Sequence, residues 1–317
     1  MIYWGKDFFG FFSTLFARMF GGGGALAPDE IQIIALSGIG IACAMIGSFL
    51  VVRKMAMVAN AISHTVLLGI VSAFVIFHLM FAKPFTEMLE VDMKLLILAA
   101  LFASLLTMLF VDFFSHILKL ARDASIGLVF TSLFSVGIIL VTLFTKNSHI
   151  GAEVIMGNVD MLHKNDIWIA LFLCCGNLLC LVLFFKEYMI TSFDPEFAKL
   201  SRISPVITNY LVIFQTSLTL VGSFRAVGVV LVLALLIVPS VTARMFVRKM
   251  KALILVSSGI SLVASVLAVA LSRHILTSFG IALSTSGLMV AILFGIWLLA
   301  LSKNLVIFVS HKIRFLA

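Results

Sequence analysis

The stretch VANAISHTVLLGIVSAFVIFHLMF, residues 58–81, decides the fold of this chain. Its 24 residues include no Asp, Glu, Lys or Arg. A helix needs about 20 mostly apolar residues to cross the hydrocarbon core of a bilayer, so the stretch predicts a membrane-spanning helix. A polar cluster, Asn60-Ala61-Ile62-Ser63-His64, lies near its start. Because polar groups are expensive to keep in a membrane, this cluster is a hypothesis of function from the outset.

The composition of the whole chain extends this interpretation. Of its 317 residues, 62% are hydrophobic and 11% are charged, whereas soluble domains have about 25% charged residues. These values exclude a soluble globular protein. The formal net charge of +8 is typical of basic residues at a cytoplasmic membrane face, so we expect contact with membrane lipid and no nucleic-acid partner. The sequence has no P-loop motif, so we do not expect the chain to hydrolyse ATP itself.

The chain contains nine apolar spans, which predict an all-α polytopic membrane protein with about eight to nine transmembrane helices. The spans are roughly 31–52, 58–81, 95–114, 124–145, 167–185, 206–221, 226–246, 253–271 and 281–301. Residues 1–30 are predicted to form an N-terminal extension, with an interfacial helix at Phe8–Phe20 and a flexible joint at Gly21–Gly24. Residues 31–302 form the membrane domain, and residues 303–317 form a basic cytoplasmic tail.

The distribution of basic residues predicts the orientation. With the N-terminus outside, the inside loops hold 14 Lys and Arg residues and the outside segments hold 8. Cytoplasmic loops carry an excess of Lys and Arg, so we expect an outside N-terminus and an inside C-terminus. The loop between the spans 167–185 and 206–221 is then cytoplasmic.

Asn60, Ser63 and His64 form the first candidate site. Asn60 and His64 are four residues apart and share one face of a helix. One interpretation is hydrogen bonding between helices. The other is a cation path, because imidazole is a good ligand for divalent transition metals and an amide oxygen is a weaker one. Two ligands cannot complete a metal shell, so a second chain in a dimer would supply the rest.

The segment 193–205 forms the second candidate site. Asp194 suits a helix N-cap, Pro195 suits the first helical position and Glu196 favours the positive helix start. We expect a short amphipathic helix that Pro205 stops. It is either an ordinary surface helix or a docking helix that inserts the apolar side chains of Phe197 and Leu200 into a groove on a soluble partner.

The third candidate site lies in the span 226–246. Pro239 frees a backbone carbonyl and usually kinks a helix, while Ser240 and Thr242 can satisfy freed backbone groups. The segment either lines a translocation path or packs against its neighbours. The remaining histidines and the four cysteines are interpreted as interface, solvated or packing residues.

Taken together, these motifs resemble the permease family of bacterial ATP-binding cassette (ABC) importers for manganese, zinc or iron, the ABC-3 family. The resemblance runs from about Ile31 to Leu301. Within the family, the chain looks most similar to the chlamydial branch. It rests on Val52-Arg53-Lys54-Met55, Asn60–His64, Asp123-Ala124-Ser125-Ile126-Gly127, Met156-Gly157-Asn158, Asp194–Ala198 and Ala226–Arg244.

The resemblance implies a fold like the vitamin B12 importer permease and a multi-pass location in the bacterial inner membrane. It implies a second permease chain in a homo- or heterodimer, cytoplasmic ATPase subunits and an extracytoplasmic metal-binding protein. The transported cargo would be manganese, zinc or iron, with no permanently bound cofactor. The family's metal-contacting Asp and His map onto Asn60 and His64, and the segment Asp194–Ala198 maps onto the helix that couples to the ATPase.

Two departures from the family pattern stand out. Asn60 replaces the usual aspartate, so a negative ligand is missing. The segment Ser284-Thr285-Ser286-Gly287 lacks the proline that usually precedes the last span. A rival class is a secondary metal transporter or channel without an ATPase, which would need several carboxylates within its spans. An intramembrane enzyme would need a catalytic constellation, and we find none in the sequence.

Overall fold

The computed structural model describes residues 8–20, 26–81, 93–144 and 157–316. Regular structure in these ranges is helical throughout. The helices are α1 (Phe8–Phe20), α2 (Pro28–Val52), α3 (Ala56–Phe81), α4 (Met93–His116), α5 (Arg122–Phe144), α6 (Lys164–Leu183), α7 (Phe185–Phe193), α8 (Pro195–Leu200), α9 (Pro205–Val227), α10 (Val229–Phe246), α11 (Met250–Phe279) and α12 (Thr285–Leu316), with a 3-10 turn at Val159–Met161.

Within the described residues, nine helices are long and apolar enough to cross a membrane: α2 to α6 and α9 to α12. The all-α fold and the predicted number of spans are confirmed. The short helix α7 follows directly after α6 and was missed, since its sequence FKEYMITSF mixes polar and apolar residues without a long apolar run.

The predicted role of Pro205 was wrong. Helix α8 already ends at Leu200, and Arg202 takes up a left-handed conformation with φ of 61°. Ile203 N then donates to Ala198 O at 2.9 Å, and Arg202 N donates to Lys199 O at 3.1 Å. This pair of bonds is a Schellman motif, which terminates the helix. Pro205 instead begins α9, where its missing N–H costs nothing.

The predicted domain boundaries fall inside helices. Helix α2 starts at Pro28, and Glu30 in its first turn pairs with Arg18 of α1 at 2.6 Å. Helix α12 continues from the last span to Leu316. Residues 8–20 are helical as expected, while their place at the membrane interface stays a prediction. The glycine joint 21–24 lies outside the described residues.

The chain divides into two compact units. The first comprises 1–48, 158–181 and 234–317. In it α1 packs on α11, and α11 packs on α12. Small residues let α2 approach α10 closely: a Cβ added to Gly47 would lie 1.8 Å from the carbonyl oxygen of Leu236. Backbone contacts of this kind are typical of helix packing in membranes.

The second unit comprises 49–157 and 182–233. Helix α3 is its centre and packs against α4, α5 and α9. The hydroxyl of Thr107 on α4 donates to Thr65 Oγ1 on α3 at 2.8 Å. This unit therefore holds α3, with the polar cluster, together with α7 and α8.

Replacing Gly47 with alanine is expected to destabilise the first unit, because the atom in the way is backbone and cannot rotate aside. Overpacking of this kind costs about 1–3 kcal/mol. The melting temperature of the purified protein in detergent measures the effect. Gly259 on α11 is the matched control, since a Cβ there meets nothing within 4 Å. Equal melting temperatures for the two alanine variants would contradict the close approach of α2 and α10.

Candidate functional site

The polar cluster lies in the first half of α3. Ser63 is buried, and its hydroxyl donates to the carbonyl oxygen of Asn60 at 2.7 Å. Its proton is therefore used within the helix. Asn60 and His64 are each partly exposed. The helix carries both on one face, as the spacing predicted.

The His64 imidazole packs against two aromatic rings of α5. Its ring centre lies 5.0 Å from that of Phe130 and 5.4 Å from that of Phe134. The two phenylalanine rings are stacked on each other, with centres 5.9 Å apart. Metal-binding histidines usually donate their second N–H to a carbonyl or carboxylate. Phenylalanine rings offer neither, so they orient the imidazole by packing alone.

One chain does not assemble a metal centre from its described residues. Among them there is no group of three or more His, Cys, Asp or Glu side chains that could hold a metal ion. That His64 and Asn60 form part of a metal site shared with a second chain stays a prediction.

Pro239, Ser240 and Thr242 lie on α10, in the first unit, whereas Asn60 and His64 lie in the second. Both hydroxyl residues are fully buried. Thr242 Oγ1 donates to Val238 O at 2.8 Å, and Ser240 Oγ donates to Ala44 O on α2 at 3.3 Å. These contacts favour packing as the role of the segment, and a role in the translocation path stays a prediction.

A serine cluster completes this packing. Ser48 Oγ on α2 lies 2.9 Å from Ser257 Oγ on α11 and 3.5 Å from Ser240 Oγ. Hydroxyl groups that bond across helices are a common source of association in membranes.

The short helix α8 forms as its sequence predicted. Asp194 Oδ1 accepts a hydrogen bond from Phe197 N at 2.9 Å, and Pro195 occupies the first turn. Glu196 pairs with Lys199 at 2.9 Å on the surface. Ala198 is fully buried on the opposite side, so it anchors the helix to its own chain.

The two predicted anchors point away from that chain. Phe197 is 53% exposed and Leu200 is 84% exposed. Two large apolar side chains on a rigidly capped six-residue helix form a compact surface that a partner's groove can cover.

Sequence reasoning missed the role of Arg53. Its guanidinium donates to Ser192 Oγ at 2.8 Å, Thr191 Oγ1 at 2.7 Å and Tyr188 O at 3.2 Å, all on α7, and to Asn209 Oδ1 on α9 at 2.6 Å. Burial lowers the pKa of Arg53 to about 10, so the group remains charged at neutral pH. The only sequence signal was the motif Val52-Arg53-Lys54-Met55.

The carboxylates of Asp29, Glu30 and Asp166 are buried in the first turns of helices, and each has a partner. Asp29 pairs with Arg273, and Glu30 pairs with Arg18. Asp166 accepts a hydrogen bond from His163 N at 2.8 Å. Such contacts are structural caps and ion pairs, and they do not resemble a row of carboxylates poised to couple ions.

Known proteins of one family are similar to this chain. Residues 31–304 match the ABC 3 transport family. A "Probable metal transport system membrane protein" of Chlamydia muridarum is 38% identical over 92% of this chain and 90% of its own length. The "Manganese transport system membrane protein MntD" of Bacillus subtilis is 34% identical over 72% of this chain and 78% of its own.

A solved structure agrees with these sequence relatives. The structure described as "PsaBC from Streptococcus pneumoniae in complex with Fab" superimposes with a TM-score of 0.71 and 26% identity. The superposition covers 90% of this chain and 95% of that one. The family resemblance and the permease fold predicted from the sequence are confirmed.

Proposed function

The chain belongs to the ABC 3 transport family, and from this membership we propose that it imports a divalent transition metal as the permease subunit of an ABC transporter. It is a multi-pass protein of the bacterial inner membrane. The observation that carries the choice of cargo is the His64 and Asn60 pair on one face of a spanning helix. Imidazole and amide oxygen suit manganese, zinc and iron.

The metal would come from an extracytoplasmic binding protein and would leave into the cytoplasm. Cytoplasmic ATPase subunits would supply the energy by binding α8 through Phe197 and Leu200. The exposure of these two side chains supports the proposal, since the described part of the chain leaves each of them more than half exposed. Residues 31–302 are proposed as the permease domain.

The metal site would be shared between two permease chains. His64 and Asn60 are both uncharged when the imidazole is neutral, so two identical chains would offer a dication no charge compensation. Coulomb attraction grows as the dielectric falls, so a missing carboxylate matters most in a dry path. We infer that the partner is a related permease that keeps an acidic residue at the position equivalent to Asn60.

The deciding experiment reconstitutes the chain with its partner permease, its ATPase and its binding protein in proteoliposomes. ATP-dependent uptake of manganese, zinc or ferrous iron supports the proposal, and competition among the three metals identifies the cargo. Uptake by the permease without ATP or ATPase would favour the secondary transporter. Transport by a complex with only this permease chain would contradict the heterodimer alone.

Replacing Asn60 with aspartate is expected to strengthen metal binding. Coulomb attraction between a dication and a carboxylate about 4 Å apart, about 8 kcal/mol at an effective dielectric of 20, is largely offset by desolvation of the carboxylate. We expect about a tenfold lower dissociation constant, or about 1.4 kcal/mol, in metal titrations of the purified complex. Asn165→Asp, at the exposed start of α6, controls for the change in net charge. Weaker binding by the Asn60 variant alone would remove this position from the site.

A further inference from the structure

The connection between α2 and α3 is short and stiff. Only residues 53–55 separate the two helices. Lys54 has a φ of 57°, Met55 N donates to Leu50 O at 2.8 Å, and Lys54 N donates to Val51 O at 3.2 Å. This is a second Schellman motif. We therefore expect a displacement of Arg53 to move the start of α3.

Arg53 holds this connection to two other elements at once. Its Nε and Nη2 groups bond α7, and its Nη1 group bonds Asn209 on α9. The guanidinium carbon also lies 5.8 Å from the centre of the Tyr188 ring. Tyr188 is itself fixed, since its hydroxyl donates to Gln215 Oε1 on α9 at 2.6 Å. The planar fork of arginine can bridge two helices in this way, and the single nitrogen of lysine cannot.

The elements on the two sides of Arg53 are the two that the proposed function uses. Ser192 and Thr191 lie two and three residues before Asp194, the cap of α8. On the other side, Asn60 and His64 lie on α3, about 6 and 12 Å along the axis from Ala56 at a rise of 1.5 Å per residue. All of these residues belong to the second compact unit.

We propose that Arg53 is a positioning residue that links movement of α8 to α3 and so couples the ATPase-binding surface to His64 and Asn60. This inference rests on the proposed function, because it takes α8 as the helix that binds the ATPase. The link is a contiguous set of contacts: α8 follows α7, α7 is bonded to Arg53, and Arg53 lies in the three-residue connection that leads into α3. All four acceptors of the guanidinium are uncharged.

The test measures coupling directly in proteoliposomes that contain the permease complex, its ATPase and the metal-loaded binding protein. Manganese uptake and ATP hydrolysis are recorded together. For Arg53→Ala we expect uptake per ATP to fall about tenfold, within the range of coupling between distant sites. Stimulation of ATP hydrolysis by the binding protein should fall as well, while the amount of co-purified ATPase and the basal hydrolysis stay unchanged.

Three further variants separate this role from a structural one. Arg53→Lys keeps the charge and should still show the loss of coupling, because it cannot bridge α7 and α9. Asn209→Ala removes the α9 acceptor alone and should lower uptake per ATP in the same direction, which keeps the test open if Arg53→Ala does not assemble. Lys54→Gln, at the exposed neighbouring position, should behave as the wild-type protein.

Wild-type uptake per ATP in both Arg53 variants would overturn the proposal, as would loss of assembly in Arg53→Lys and Asn209→Ala. Phe197→Asp is included in the same series. If it retains ATPase binding and transport, the coupling role of α8 is wrong. If it loses ATPase binding while the Arg53 variants transport normally, only the link through Arg53 fails.

Discussion

Replacing His64 with alanine is expected to abolish ATP-driven manganese uptake without changing the amount of assembled transporter. The imidazole is the strongest transition-metal ligand in the polar cluster of α3, and methyl cannot replace it. Within the described residues, no group of three or more His, Cys, Asp or Glu side chains could take over. Uptake of radioactive manganese by proteoliposomes measures the effect, and co-purification of the ATPase reports assembly.

The matched control is His116→Ala, since this exposed histidine ends α4 and lies away from the polar cluster in sequence. It should transport normally. Loss of the His64 contacts with Phe130 and Phe134 costs about 0.5–1.5 kcal/mol, which a melting curve records separately from transport. Normal uptake by His64→Ala would remove the cluster from the mechanism.

Much of the fold could be read from the sequence because membranes impose a simple rule. A span must be long, apolar and helical, and each of the nine spans met that rule before any contact was known. Helix α7 was not predicted, since its nine residues include Lys186, Glu187 and Thr191 and contain no long apolar run. The end of α8 was misassigned because a left-handed arginine, rather than glycine or proline, terminates it.

The candidate sites could be predicted where they depend on neighbours in sequence, and they could not where they depend on distant contacts. The caps of α8 depend on neighbours in sequence, so Asp194 and Pro195 were placed correctly. The packing of Phe130 and Phe134 on His64 joins helices that are more than 60 residues apart, and no periodicity reveals it. The contacts of Arg53 span 135 to 156 positions and were equally hidden.

The burial of Ser240 could not be predicted for the same reason. Its partners Ala44 and Ser48 are about 190 residues away. A serine beside a proline in a span fits a path and a packing interface equally well in sequence, and only the neighbouring helix distinguishes them. The sequence therefore predicts which residues are unusual in a membrane, while the contacts show how each of them is packed.

Replacing Phe197 with aspartate is expected to abolish binding of the ATPase and, with it, transport. The side chain is 53% exposed on a helix whose opposite side is anchored by Ala198, so the change should leave the permease folded. A carboxylate in an apolar groove has to give up its hydration, which costs several kcal/mol when no partner compensates. Co-purification of the ATPase with the permease measures binding, and proteoliposome uptake measures transport.

The control for Phe197→Asp is the same substitution at Phe279, which ends α11 and is 72% exposed. The predicted orientation places Phe279 outside and Phe197 inside, so only the second change should affect a cytoplasmic partner. Leu200→Asp should reproduce the loss of ATPase binding, because Leu200 and Phe197 are both exposed on α8. If the Phe197→Asp and Leu200→Asp variants both retain ATPase binding, or if the Phe279→Asp variant loses it, the docking role of α8 and its cytoplasmic location are both contradicted.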